Sequence, residues 1–233
     1  MATDISYAPL EGVAEATRSA RRGLIWAAVV FTATLVQLAV ATFVPGLTQF
    51  EGKAFGARLI AYPLMMLVAP AVWWGVRRLR GSTYPMPWAG FALIMAPFLI
   101  DVSGNTVNFY DTLDWWDDAN HFFNWILLCW GFGLLIVRGF VAPRWALVLA
   151  VTGLGALLAI GWELGEWFSF IRQGTELGMA YEDTLADEAL GSLGGLVAAL
   201  IVARSHGAPR RVLKTEDQQD GPAPSASRPV RQP

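Results

Sequence analysis

An uncharged and mostly apolar stretch, residues 24–44, is long enough to cross a lipid bilayer as a single helix. Five more apolar stretches follow it along the chain. They cover residues 59–76, 85–100, 121–137, 145–167 and 187–203. The composition is typical of a membrane protein, because 55% of the 233 residues are hydrophobic and only 15% are charged, against about 25% charged residues in soluble domains. The sequence therefore predicts an all-α, polytopic membrane bundle of six transmembrane helices.

The charge balance and the cysteine content exclude several classes of protein. The formal net charge is −2 and no basic stripe marks a folded region, so a nucleic-acid partner is not expected. Cys129 is the single cysteine, which excludes a disulfide framework and a zinc site built from several thiolates. Membrane lipids are the partners that this composition predicts, and it leaves the oligomeric state open.

Glycines recur on three of the predicted spans. They are Gly131 and Gly133 on the fourth, Gly153 and Gly155 on the fifth, and Gly191 and Gly195 on the sixth. Small residues at such positions let membrane helices approach closely. We therefore expect these glycines to form helix-packing faces.

Basic residues divide the predicted loops into two sets. Clusters precede the first span, fill the second and fourth loops and follow the sixth span, whereas the other loops carry few cations. The positive-inside rule then puts both termini in the cytoplasm. In this interpretation residues 1–22 are a cytoplasmic N-terminal segment and residues 23–204 the six-helix domain. Residues 205–233, rich in Pro, Ser, Gln and Arg, are predicted to be a disordered cytoplasmic tail.

Acidic residues are distributed the other way. Six of the 19 lie in the predicted cytoplasmic tails, and the other 13 lie on or near the outer face. These 13 are Glu51, Asp101, Asp111, Asp114, Asp117, Asp118, Glu163, Glu166, Glu176, Glu182, Asp183, Asp187 and Glu188. Acids contribute little to topology, so their one-sided placement needs another cause.

Helical spacing points to a bound cation as that cause. Residues three or four apart share a helix face, and the outer ends of spans four to six carry three such pairs. Like charges at this spacing repel, and a charge near hydrocarbon is expensive, so we expect a positive ion between them. The predicted metal ligands are Asp117, His121, Glu163, Glu166, Asp183 and Asp187. Carboxylates with one imidazole suit Mg²⁺, Mn²⁺, Ca²⁺ or a His–carboxylate zinc site, so the divalent metal is unidentified.

Helix capping is a competing explanation for part of this set. Asp183 and Thr184 are favourable N-cap residues, and Thr184 with Asp187 matches a capping box. Asp117 can likewise interact with the positive end of the fourth span. The two glutamates are different, because they lie toward the C-terminal end of a span, where the helix dipole disfavours anions. Glu163 and Glu166 are therefore the candidate catalytic groups.

Three blocks of sequence carry these residues. They are WDDANHF at 116–122, WELGEW at 162–167 and DTLAD at 183–187. In order and spacing they resemble the YjdF-like family of bacterial inner-membrane proteins, which is distantly similar to VanZ-like proteins. The match covers about residues 101–203 and departs from the family at Asp118, where the family has Arg, and at Arg138-Gly139, where it has Arg-Glu. The resemblance implies a compact, multi-pass protein of the bacterial cytoplasmic membrane and no known reaction.

Three functions are open on this basis, and whether the protein is an enzyme is itself an open question. The first is a metal-dependent hydrolase or transferase that acts on a lipid-linked or envelope substrate, with one Glu as general base. The second is a structural or accessory membrane protein without catalysis. The third is a cation-coupled transporter. Transporters place their ion sites near the membrane midplane, and no acid is predicted there, which counts against this function. The convergence of acids slightly favours the first.

Overall fold

The computed structural model describes residues 8–82, 85–139, 142–169, 171–174 and 179–205. Within these ranges the chain forms α-helices and short 3-10 turns, and no strand. The helices are α1 (Ala8–Phe43), α2 (Phe55–Leu79), α3 (Trp88–Thr106), α4 (Phe109–Thr112), α5 (Trp116–Gly139), α6 (Arg144–Ser169) and α7 (Ala180–Ser205). The 3-10 turns are Thr48–Phe50 and Ile171–Gln173.

Six of the described helices are long and apolar enough to cross a membrane, which confirms the all-α, six-span prediction. They are all the helices except the short α4, and the candidate span within α1 is Thr17–Phe43. The orientation with both termini inside stays a prediction. Residues 1–7 and 206–233, which include most of the predicted cytoplasmic tail, lie outside the described residues.

The helices extend past the ends of the apolar stretches. α5 begins at Trp116 rather than at His121, and α7 begins at Ala180 rather than at Asp187. α3 continues to Thr106, so Asp101 lies inside the helix although the apolar stretch ends at residue 100. An apolar stretch ends at the first acidic residue, whereas a helix continues as long as each backbone N–H bonds to the carbonyl oxygen four residues earlier.

The long helices pack as two groups. α1 lies against α3 and, less extensively, against α2, while α5 and α6 both lie against α7. Each group has its own hydrophobic core, with Met66 and Phe91 fully buried in the first and Val151 and Ala198 in the second. Packing of α3 against α5 joins the groups. α2 and α6 border the remaining gap without close packing along their lengths.

Glycines allow the closest helix crossings. A Cβ added at Gly131 of α5 would lie 2.7 Å from the carbonyl oxygen of Gly90 in α3. A Cβ added at Gly155 of α6 would lie 3.0 Å from Cα of Gly195 in α7. The expectation that Gly153 also packs is wrong, because it is exposed and a Cβ there would meet no described atom within 4 Å. Gly153 is two residues from Gly155, and a shift of two residues reaches another face of a helix.

Candidate metal centre

Asp187 lies at the centre of the acidic groups, and only 2% of its surface is exposed. Its Oδ1 is 3.4 Å from Nδ1 of His121, while its buried Oδ2 has no hydrogen-bond partner among the described residues. Nε2 of His121 is 3.8 Å from Oδ1 of Asp117. One ligand atom from each of these three residues lies within 4.8 Å of the other two. They form the first of two overlapping groups that can hold a metal ion.

The second group combines Asp187 with Glu163 and Glu166 of α6, again with ligand atoms within 4.8 Å of one another. Glu163 is buried, and its carboxylate lies beside the side chain of Thr184 on α7. Glu166 accepts a hydrogen bond of 2.9 Å from Nε1 of Trp162. Helices α5, α6 and α7 thus bring side chains to one point. We call Asp117, His121, Glu163, Glu166 and Asp187 the acid–histidine cluster.

The position of Asp187 along α7 excludes helix capping as its role. α7 begins at Ala180, so Thr184 and Asp187 both lie beyond the first turn. A capping residue must lie at the helix end, where backbone N–H groups lack partners. Asp183 and Asp117 do lie in the first turns of their helices, so the capping explanation still applies to those two.

Trp125 fixes the orientation of the His121 ring. The two rings are stacked, with centroids 5.5 Å apart and an interplanar angle of 8°. Nε1 of Trp125 donates a 3.1 Å hydrogen bond to the carbonyl oxygen of Gly155, which holds the indole in place. Trp162 then packs edge-on against Trp125 at 6.2 Å. The imidazole therefore has an apolar wall on one face and carboxylates near both nitrogens.

A second polar network surrounds Asp101 of α3. Its Oδ2 accepts hydrogen bonds from Nη1 of Arg58 at 3.1 Å and from the hydroxyl of Tyr62 at 2.7 Å. Its Oδ1 accepts one from the hydroxyl of Tyr110 at 2.8 Å. Burial raises the pKa of the Tyr110 phenol, and the Asp101 charge raises it further, so this hydroxyl remains a donor. Both oxygens of Asp101 have hydrogen-bond partners, whereas Oδ2 of Asp187 has none among the described residues.

Two asparagines extend this network into α5. Nδ2 of Asn120 donates to the hydroxyl of Tyr110, and Nδ2 of Asn124 donates to Oδ1 of Asn120 at 2.7 Å. Both asparagines are buried. Asn120 immediately precedes His121 in the chain. The Asp101 network and the acid–histidine cluster are therefore held next to each other by the same helix.

A cavity of about 780 Å³ borders both networks. Its polar end is lined by Arg58, Tyr62, Asp101, Tyr110, Asp117, Asn120, His121 and Glu166. The rest is apolar and includes Met65, Val68, Ile94, Phe98, Leu128, Phe132 and Leu158. The volume is within the range of small-molecule sites, which is about 300–1,000 Å³. A molecule in this cavity can reach the cluster through Asp117, His121 and Glu166.

The donor set of the cluster suits a hard or borderline divalent cation. It offers carboxylate oxygens and one imidazole nitrogen, which fits Mg²⁺, Mn²⁺ or Zn²⁺. Such an ion would offset the repulsion among the buried acids, supply a partner for Oδ2 of Asp187 and activate a bound water molecule. The arrangement is therefore compatible with metal-assisted hydrolysis or group transfer.

The structure brings together most of the predicted ligands. Asp183, the remaining one, is exposed and belongs to neither ligand group among the described residues. Asp101, one of the predicted outer-face acids, is bound by Arg58 and two tyrosines and belongs to neither group. Glu176, another of the predicted outer-face acids, lies outside the described residues.

Sequence reasoning missed the polar wall formed by Arg58, Tyr62, Tyr110 and Asn120. A usable signal was present, because Arg58 and Asp101 each border an apolar stretch, and charges near hydrocarbon are expensive unless they pair. The tyrosines and the asparagine carried no comparable signal, since such residues occur at many membrane interfaces.

Comparison with known proteins agrees with this architecture. A family described as predicted membrane protein (DUF2238) matches residues 23–208, which include every described span except the start of the first. No curated protein and no solved structure matches the chain. Because the family match covers well over half of the sequence, this multi-pass membrane protein belongs to the DUF2238 family.

Proposed function

We propose that the acid–histidine cluster binds a divalent metal ion and that the protein is a metal-dependent hydrolase or transferase acting on a lipid-linked or envelope substrate. The observation that carries the proposal is the buried Asp187. This residue belongs to both groups of possible metal ligands, and its Oδ2 has no protein partner among the described residues. A buried carboxylate left unpaired is strongly destabilising, and a cation removes that cost.

The glutamates have different positions relative to the cavity, which suggests different roles. Glu166 lines the cavity, whereas Glu163 does not line it and lies beside Thr184. Glu163 is thus suited to hold the metal. Glu166 is suited to take a proton from an attacking water molecule, which would add to a phosphoryl or carbonyl centre of the substrate while the leaving group departs.

The cellular location is also part of the proposal. The YjdF-like resemblance of residues 101–203 lies inside the matched range, and the family implied by that resemblance is found in the bacterial cytoplasmic membrane. We therefore place the protein there, with both termini in the cytoplasm. The acid–histidine cluster would then lie near the outer leaflet, where envelope substrates are accessible.

Elemental analysis of the purified protein tests the metal site. We expect the wild type to retain a stoichiometric divalent metal after dialysis, and the Glu163→Gln/Glu166→Gln variant to lose it. Glu182→Gln is the matched control, because Glu182 is an exposed acid in the first turn of α7. Equal metal content in all three proteins, or none above background in the wild type, would contradict the proposal and favour a structural or accessory role.

A further inference from the structure

The cavity beside the cluster changes in polarity along its length. Arg58 lines it near the start of α2, and Ala69 lines it farther along the same helix. At about 1.5 Å per residue these positions are roughly 16 Å apart. Half of the hydrocarbon core of a bilayer is about 15 Å thick. The cavity therefore has a polar end near a helix terminus and an apolar part with the depth of one leaflet.

The cavity is also open to the side, between α2 and α6. Its lining on α2 includes Met65 and Val68, which are 43% and 58% exposed. Its lining on α6 includes Gly161, Gly165 and Phe168, which are exposed as well. Because both helices are candidate spans, this opening faces the region that lipid chains occupy. The ring contact of Tyr62 with Trp162, at 6.4 Å, links the two helices beside the polar end.

We infer that the cavity binds a membrane lipid of one leaflet, with a hydrocarbon chain in the apolar part and a phosphate-bearing head group at the Arg58 end. The chain reaches its place laterally between α2 and α6. Arg58 lines the polar end, where its Nη1 donates to Asp101, and the other N–H groups of its planar guanidinium can donate to phosphate oxygens. The head-group contact rests on the proposed function, because the neighbouring acids repel phosphate and a bound metal ion would offset part of that repulsion. The chain contact does not depend on it.

Two glycines allow the cavity to be filled without disturbing the fold. Gly161 and Gly165 line it, and a Cβ added at either would meet no described atom within 4 Å. Replacing a helical glycine removes an unfavourable backbone entropy. Gly153, on the same helix, is equally unobstructed but does not line the cavity. Gly161→Phe and Gly153→Phe are therefore a matched pair.

The experiment measures lipid that remains bound. Each protein is reconstituted into phosphatidylglycerol vesicles, extracted in mild detergent, washed and analysed by mass spectrometry for lipid per protein. We expect the wild type and Gly153→Phe to retain lipid, and Gly161→Phe to retain about tenfold less, because the ring takes the space of the chain. Gly165→Phe gives the same loss and replaces Gly161→Phe if that variant is not monodisperse.

Metal content measured on the same samples separates the two proposals. Asp187→Asn should lose metal and still retain the lipid chain, whereas Gly161→Phe should keep its metal. If the wild type retains lipid and Gly161→Phe does not, the lipid site is supported even when the wild type holds no metal. Equal lipid in the wild type and Gly161→Phe overturns it whatever the metal content. A lipid-free wild-type dimer that Gly161→Phe converts to a monomer also overturns it, because a second copy would then fill the gap.

Discussion

Nδ1 of His121 lies 3.4 Å from Oδ1 of Asp187, and this contact links α5 to α7 inside the bundle. On the opposite side of the ring, Nε2 is 3.8 Å from Oδ1 of Asp117. A neutral imidazole carries one donor and one acceptor, so it can satisfy only one of these carboxylates. One arrangement that satisfies both carboxylates is a doubly protonated ring, and another is a positive ion at one of its nitrogens. The second arrangement is the one proposed for the acid–histidine cluster.

Replacement of Asp187 by Asn tests the two arrangements through thermal stability. In chelator-treated protein the variant should melt at or above the wild-type temperature, because the change removes a charge from a buried side chain whose Oδ2 has no hydrogen-bond partner among the described residues. On addition of Mn²⁺ or Zn²⁺ at about 100-fold over Kd, the wild type should gain about 2.7 kcal/mol. The variant should gain little.

Glu182→Gln should respond to metal as the wild type does, since Glu182 is exposed. The same stabilisation of wild type and Asp187→Asn by added metal would show that the ion binds elsewhere. A loss of stability in the chelator-treated Asp187→Asn variant would favour a protonated imidazole that needs Asp187 as its partner.

The crossing of α6 with α7 supports a second prediction. Gly155→Ala should destabilise the protein by about 1–3 kcal/mol, because the new methyl lies 3.0 Å from both Cα of Gly195 and Sγ of Cys129. Gly153→Ala, on the same helix, meets no described atom and should be neutral or stabilising by up to about 1 kcal/mol. Thermal unfolding in detergent measures both. Equal effects would show that the helices are not in close contact at Gly155.

The ion pair of Arg58 with Asp101 supports a third prediction, which concerns stability. Both side chains are mostly buried, at 19% and 13% exposure. Arg58→Met should cost about 1.5–3 kcal/mol, the value for a hydrogen bond to a charged group. A larger cost is not expected, because Tyr62 and Tyr110 still donate to the carboxylate. Unfolding in denaturant measures the difference.

The pair of Lys53 with Asp111 is the control for that experiment. Its distance is similar, 2.8 Å, but Asp111 is 46% exposed. Exposed ion pairs contribute about 0–1 kcal/mol, so Lys53→Met should have little effect. A cost for Lys53→Met as large as that for Arg58→Met would mean that charge alone, and not burial, determines the contribution of these pairs.

The fold was predictable from sequence because its main determinant is local. Apolar stretches of about 20 residues leave few alternatives to a spanning helix. The helix ends were less predictable, since Asp117 and Asp187 lie inside helices although hydropathy ends near them. Which glycines pack was also uncertain. Gly153 and Gly155 look alike in sequence, and only the rotation of α6 against α7 separates them.

The site residues were predictable only where their spacing along a helix places them on one face. Glu163 and Glu166 share a face of α6 in any helix, and their approach to α7 required only that the two helices pack. The partners of Asp101 were not predictable in this way. Tyr110 lies in the short α4, whose path depends on the left-handed backbone of Asn108 at φ 63°. Spacing along a regular helix says nothing about such a segment.

Tyr110 supports the last prediction, which concerns pH. Its hydroxyl donates to Asp101, and burial raises its pKa above that of a free phenol, which is about 10. The unfolded chain then loses this proton before the folded protein does, so stability should fall as pH rises above about 10. Tyr110→Phe should show a smaller fall, measured as melting temperature at pH of about 9 and 11. Tyr181→Phe removes an exposed hydroxyl, so its melting temperature should fall with pH as much as that of the wild type. Parallel pH profiles for Tyr110→Phe and the wild type would show that this phenol is not held neutral by the fold.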